Sequence, residues 1–303
     1  MRWTLYRWVW QLRSPLHIGL SPSGSLNRTR LYVPARTMWG ALTAELARRI
    51  GSGITFPNYD EIGQTLRQHA RFTYLYPAER VNGEWLAWLP RYEQNSQQAG
   101  LLWYREDEAV EPLLDRHFRK HLLHTQPSTA IAPSSDTAEE GTLREVEYIS
   151  PYWRAEGMHN RDELRPVAFV GYVFLKDTLS QQIRDLLTDI QELFVGGEIR
   201  YGFGHLVLLP FSESSPWEQI NACFGFPVDL SQAEPQIECP NYLAAHGSLP
   251  ASRAQGALET LVWWDWRTLQ ANNQPFWQPG TRIEQPEDRK LNLTIGNDGL
   301  WRS

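Results

Sequence analysis

The segment GGEIRYGFG, residues 196–204, sets four glycines in nine positions around Arg200, Tyr201 and Phe203. Residues of these types can act together on a nucleic acid. Glycines let a backbone approach a bulky chain and adopt left-handed angles. Successive backbone N–H groups form an anion-binding concavity. An arginine pairs with phosphate while a ring stacks on an unpaired base. Gly196, Gly197, Arg200, Tyr201, Gly202, Phe203 and Gly204 are therefore candidate contacts. The plainer reading is a helix C-cap at Gly196 followed by a tight turn. A dinucleotide fingerprint is excluded by order, since its glycines follow a strand and open a helix. Here a helical pattern (178–194) precedes the glycines and the apolar run HLVLLP follows them. A P-loop is excluded too, because no Gly-Lys-Ser/Thr follows.

A second group lies near the start of the chain. Arg28, Arg30 and Arg36 fall within nine positions, in a stretch (18–36) without one Asp or Glu. They precede a predicted helix start, which itself favours anions. His17, just upstream, has the chemistry of a general base. His117 and His121 share one face of a predicted helix over 112–124, with His124 beyond them. Phe118, Arg119 and Lys120 stand between the first two, and those cations repel a metal ion, so no metal site is expected. Cys223 and Cys239 make neither a disulfide framework nor a zinc site and read as free thiols in a reducing compartment. His159, Asp162 and Asp265 are isolated titratable groups, read as surface or capping residues. No nucleophile–base pair emerges for a stand-alone small-molecule enzyme, and no cofactor is expected.

The elements that must position these groups follow from patterning. The chain has 303 residues, 42 % of them hydrophobic, with 14 Trp, 12 Tyr and 11 Phe. That is enough for a core, with a fraction of the rings left as stacking platforms. The formal charge of −6 argues against non-specific coating of nucleic acid, so contacts must come from a local basic patch within an assembly. No apolar run reads as a signal peptide or a membrane span, and the expectation is a soluble, cytoplasmic protein. Residues 2–13 predict a strand; Met38, Ala41, Leu42, Leu46 and Ile50 predict a helix stopped by Gly51 and Gly53. Strands are predicted at 71–76, 84–89 and 101–104. Residues 125–142, rich in Ser and Thr, read as a mobile loop. LREVEYISPYW and RPVAFVGYVFL read as strands, the second central; Leu179, Ile183, Leu186, Leu187, Ile190 and Phe194 mark the second helix. The order is that of a β-α-β-β-α-β ferredoxin-like unit with insertions. Residues 1–210 form this unit, and the less regular 211–303 form a C-terminal extension or a second partial ferredoxin-like domain.

Three stretches in this order resemble the RAMP superfamily, the RNA-binding subunits of CRISPR effector complexes. Pro15-Leu16-His17-Ile18-Gly19 is similar to its first strand end, and Tyr32-Val33-Pro34 with Gly40-Ala41-Leu42 to its helix start. ARTMW stands where the family usually has GSSLR. GTLREVEYISPYW and FVGYVFL resemble its middle strands, and VGGEIRYGFGHLVL its glycine-rich loop; the likeness covers about two-thirds of the chain. It implies an α+β, RRM-like RAMP fold and guide RNA as a partner. His17, Arg28, Arg30, Arg36 and the glycine loop would then be the contacts. Type III backbone subunits, which line the guide–target duplex, cut with an aspartate in the loop after the first strand; here Asn27 is the nearest analogue and cannot act as a base. The guide-processing endonuclease uses an N-terminal histidine, so His17 is the alternative catalytic residue, yet that enzyme usually ends soon after its glycine loop. The best match is a non-cutting subunit that binds the guide's five-prime handle in antiviral defence. It would meet target RNA indirectly and would touch backbone subunits and the large polymerase-like subunit.

Overall fold

The computed structural model describes residues 2–51, 56–94, 99–154, 164–212, 215–265, 268–285 and 291–303. Three strands expected of the ferredoxin-like unit, near 2–13, 165–175 and 205–209, lie side by side with Tyr76–Val81 as the fourth; the strand read at 71–76 is split in two, and LREVEYISPYW pairs outside this sheet. Strand β1 (Trp3–Leu12) is rich in aromatic and aliphatic residues broken by Thr4, Arg7 and Gln11, a composition that suits a pleated, half-buried surface. It pairs antiparallel with β8 (Ala168–Lys176), Trp3 opposite Lys176 and Gln11 opposite Ala168. Its other edge takes β10 (His205–Leu209), Val9 opposite Leu209. Beyond β8 come β2 (Ala70–Phe72) and β3 (Tyr76–Val81). The order β10-β1-β8-β3 is the 4-1-3-2 arrangement of a ferredoxin-like sheet. The sheet then continues through β4 (Glu84–Gln94) and β5 (Ala99–Arg105).

Helix α1 (Ala35–Ile50) buries Met38, Leu42 and Leu46, at helical spacing, while Ile50 is exposed. It ends at Gly51, whose N–H donates to the Ala47 carbonyl at 2.9 Å. Helix α2 (Tyr59–His69) is absent from the pattern read above. Asn58 caps it, accepting from the Glu61 N–H at 3.2 Å, and Ile62 and Leu66 face the core. Those four residues were the available signal.

Three predicted elements differ in extent. The helix predicted over 112–124 is α3 (Asp115–Leu122), and the chain turns directly into β6 (Leu123–Ser128), so His124 lies on a strand. The register of β6 against β7 (Arg144–Ile149) decides this, since Tyr148 sits opposite His124 and Thr125 opposite Glu147. The 125–142 stretch therefore opens as a paired strand, and a short hairpin joins Ile131–Ala132 to Thr137–Ala138. The helix predicted over 178–194 stops at Thr188 in α4 (Gln181–Thr188), with Ser180 as its N-cap. Residues 192–194 form β9 (Glu192–Phe194) against β10. Gly196 is thus no helix cap, and Phe194 is exposed, stacked on His205 at 4.8 Å.

From Ala222 to Arg302 the chain builds a second sheet of eight short strands. Its core is continuous with the first. Phe224 packs edge-on to Tyr76 and Tyr172, and the Tyr76 hydroxyl donates to the Ala244 carbonyl at 3.0 Å. Most large rings serve this core: Trp3, Trp8, Trp10, Trp103 and Trp301 are all fully buried. Cys223 is buried, which pushes its thiol pKa up, and neither described cysteine is in a disulfide. Among the described residues no helix is long and apolar enough to cross a membrane.

Candidate nucleic-acid interface

The glycine loop joins β9 to β10 and is seated on residues 15–17, at the end of β1. Gly204 donates to the Pro15 carbonyl at 2.7 Å and Gly197 to the His17 carbonyl at 2.8 Å. The two motifs that resemble one family are thus in direct contact. Their closeness explains two glycines outright. A Cβ at Gly196 would lie 2.3 Å from the His17 carbonyl oxygen, and one at Gly204 would lie 2.0 Å from that of Val195. Both residues have positive φ, near +84° and +80°. Gly202, also at +84°, has open space around it and ends a short helical turn over Ile199–Tyr201.

This corrects part of the expected chemistry. The amides of Gly197, Tyr201, Gly202 and Gly204 are bonded within the protein, so they are not donors for phosphate. Phe203 is buried, edge-on to Tyr148 at 5.5 Å, and offers no face to a base. Tyr201 is 70 % exposed and Arg200 projects from the same turn with no ion-pair or hydrogen-bond partner among the described residues. His17 is buried, and its Nδ1 donates to the Glu147 carbonyl at 2.7 Å. The ring fills the space over Gly197.

A cleft of about 1970 Å³ opens beside the loop. One wall is formed by residues 18–22 with Arg28 and Arg30, a second by one side of α1 from Arg36 to Arg49, a third by Phe194–Gly197, and the fourth by residues 259–263. Thr29 anchors the stretch that carries the arginines. It is buried, accepts the Ile18 N–H at 2.8 Å and donates its own N–H to Glu147 at 2.9 Å, which fixes the backbone between Arg28 and Arg30. Arg28 has no ion-pair partner among the described residues. Arg36 lies over the Trp263 ring at 5.0 Å.

Arg30 does not match the expectation of an unopposed cation. Glu259, 229 positions away, takes its guanidinium in a bidentate pair. The same carboxylate accepts from His246 Nε2 at 2.9 Å, and His246 Nδ1 accepts from the Tyr74 hydroxyl at 2.7 Å. This buried chain ties the first sheet to the second. Burial alone would raise the Glu259 pKa, but the hydrogen bonds from His246 and Arg30, with the Arg30 charge, hold it down at about 2. Burial also lowers the His246 pKa, more than Glu259 raises it, so the ring is neutral at pH 7 with its proton on Nε2.

Sequence reasoning had no local signal for Glu259, His246, Tyr74 or Trp263. Of the cleft residues it did name Arg28, Arg30, Arg36, Gly196 and Gly197; His17, Arg200, Tyr201, Gly202, Phe203 and Gly204 lie outside the cleft. His117 is exposed, and His121 Nδ1 donates to the Arg154 carbonyl at 2.8 Å. His159, Asp162 and the Asp265 side chain lie outside the described residues. Among those described, no group of three or more His, Cys, Asp or Glu is clustered as metal ligands would be.

No protein-family model and no curated protein matches the chain. Solved structures do. A chain of the Type III-B Cmr-beta complex bound to cognate target RNA and AMPPnP superposes with a TM-score of 0.52 at 14 % identity, over 92 % of this chain and 85 % of that one. A chain of the same complex bound to cognate target RNA gives 0.51 at 14 % identity, over 91 % and 86 %. The likeness is one of fold: mixed α+β and ferredoxin-like.

Proposed function

We propose that this chain is a non-catalytic, RNA-binding subunit of a type III CRISPR effector complex. The cleft holds guide RNA near its five-prime handle, and the remaining, net acidic surface meets the backbone and polymerase-like subunits. The observation that carries this reading is the cleft itself, where the loop after β1, the start of α1 and the glycine loop converge around Arg28. The fold likeness to chains of an RNA-bound Type III-B complex supports it. Purified from cells carrying its own guide locus, the protein should co-elute with short RNA of uniform five-prime end. Arg28→Glu should weaken that retention and flatten its salt dependence by about one unit of slope. Retention unchanged at two salt concentrations would remove Arg28 from the site.

The non-catalytic assignment draws on two features. Residues 18–36 contain no acid to place a metal or activate a hydroxyl. His17 is buried, its Nδ1 is committed to Glu147, and it does not line the cleft. Labelled repeat RNA and labelled target RNA should survive incubation with the protein, with and without magnesium. A specific cut abolished by His17→Ala would make the chain a guide-processing endonuclease instead.

A further inference from the structure

We propose that single-stranded RNA leaves the cleft over the glycine loop and continues across the outer face of the β6–β7 pair, a second binding surface built from Tyr201, Arg144, Tyr148, His124 and Arg154. The proposal rests on the RNA-binding reading above and extends it to residues that do not line the cleft.

Cations and rings alternate along this face. Arg144 stacks on the exposed Tyr201 ring, 5.4 Å from its centroid. Tyr148, four positions along β7, shares a face with Arg144 because side chains alternate along a strand; the two flank Val146, which is buried on that same face. His124, directly opposite Tyr148 in the register, stacks on it with centroids 5.9 Å apart and planes at 17°. Arg154 closes the row, its guanidinium 3.1 Å from His124 Nδ1. Burial, then the Arg154 charge, lowers the His124 pKa, which keeps that ring neutral and its face fit for stacking. Four residues separate Arg144 from Tyr148, so the two platforms stand on the order of 13 Å apart. Arg200 projects from the same turn as Tyr201.

Tyr201 and Arg154 are exposed, and Arg144, Tyr148 and His124 are half-buried; this alternation of arginine and flat rings matches an unpaired strand, whose bases stack while its phosphates take the guanidinium groups. The acid nearest Arg144 is Glu198, at 3.7 Å. With 43 % of the arginine side chain exposed, that pair is screened and yields readily to phosphate.

The test is fluorescence anisotropy with oligouridylates of about 6 and about 16 nucleotides. Wild type should bind the longer strand more tightly. Tyr201→Ala and Arg144→Ala should each lose roughly 5- to 100-fold on the longer strand and little on the shorter. Tyr201→Trp should keep the affinity, and thermal unfolding should match wild type in all three, since neither side chain is buried. If Arg28→Glu weakens both lengths while Tyr201→Ala and Arg144→Ala bind both as wild type does, the cleft reading stands and this surface falls. An equal loss on both lengths would put Tyr201 in the primary site and also overturn the extension. A wild-type protein that binds neither strand overturns the RNA reading and this proposal with it.

Discussion

Replacing Glu259 with alanine is expected to destabilise the protein by about 3–5 kcal/mol, because it leaves a charged, largely buried guanidinium without its partner. Arg30 and Glu259 are 14 % and 15 % exposed, so solvent can relieve little of the loss. His246 would lose the acceptor for its Nε2–H as well, and the Tyr74–His246 bond would lose its orientation. Equilibrium urea denaturation should show the midpoint falling. The double variant Arg30→Met/Glu259→Met should recover much of the loss, since removing both charges removes the desolvation problem. A single variant as stable as wild type would mean that the two sheets are held by apolar packing alone.

The same cluster gives stability a pH dependence with a defined sign. The folded pKa of Glu259, about 2, lies below its ordinary 4.5. That of His246 lies below its ordinary 6.5. In both cases the unfolded chain binds protons more readily, so the stabilisation is present above the ordinary value and is lost as pH falls. The His246 contribution starts to fall below pH 6.5, and that of Glu259 fades between about 4.5 and 2. His246→Phe should remove the upper part of that decline and leave the lower part.

Local rules carried the ferredoxin-like unit because its elements are locally consistent. Trp3, Leu5, Trp8, Trp10 and Leu12 are buried along β1, and Met38, Leu42 and Leu46 repeat along α1, so period alone identifies both. The errors arose where tertiary pairing overruled the period. Leu123, His124 and Glu192–Phe194 continue helical patterns, but each stretch meets a strand edge that takes its N–H and C=O groups, β7 in one case and β10 in the other. The site was legible in part for a related reason. Arg28 and the glycine loop announce themselves within short windows. The partner of Arg30 does not: Glu259 comes from the far end of the chain, where the strands are two to four residues long and carry little periodic signal. What looked like three free cations is one cation without an ion pair among the described residues, one buried ion pair and one guanidinium over a tryptophan.

Gly204→Ala and Gly202→Ala should separate by several kcal/mol, although both glycines have positive φ. At Gly204 two costs combine. A methyl group would stand 2.0 Å from the Val195 carbonyl oxygen, and the two residues are already held together by the Val195 N–H, which donates to the Gly204 carbonyl at 3.0 Å. Overpacking and left-handed strain together give a loss on the order of 2–6 kcal/mol. The Gly204 N–H to Pro15 bond would shift with it, loosening the seat of the loop on β1. At Gly202 the Cβ meets nothing within 4 Å, so only the backbone strain remains, about 1 kcal/mol. The sequence pattern suggests one shared cause for both glycines, close approach of RNA. The geometry divides them, since Gly204 is shut by protein atoms and Gly202 is open to whatever lies against the turn. Thermal unfolding separates the stability effects, and RNA affinity of the folded fraction reads the rest. Gly202→Ala should keep its fold, and if it loses RNA affinity, the strand passes over this turn on its way to Tyr201. Equal, small losses of stability in the two variants would show that the Val195 turn can move, and the packing role of Gly204 would be wrong.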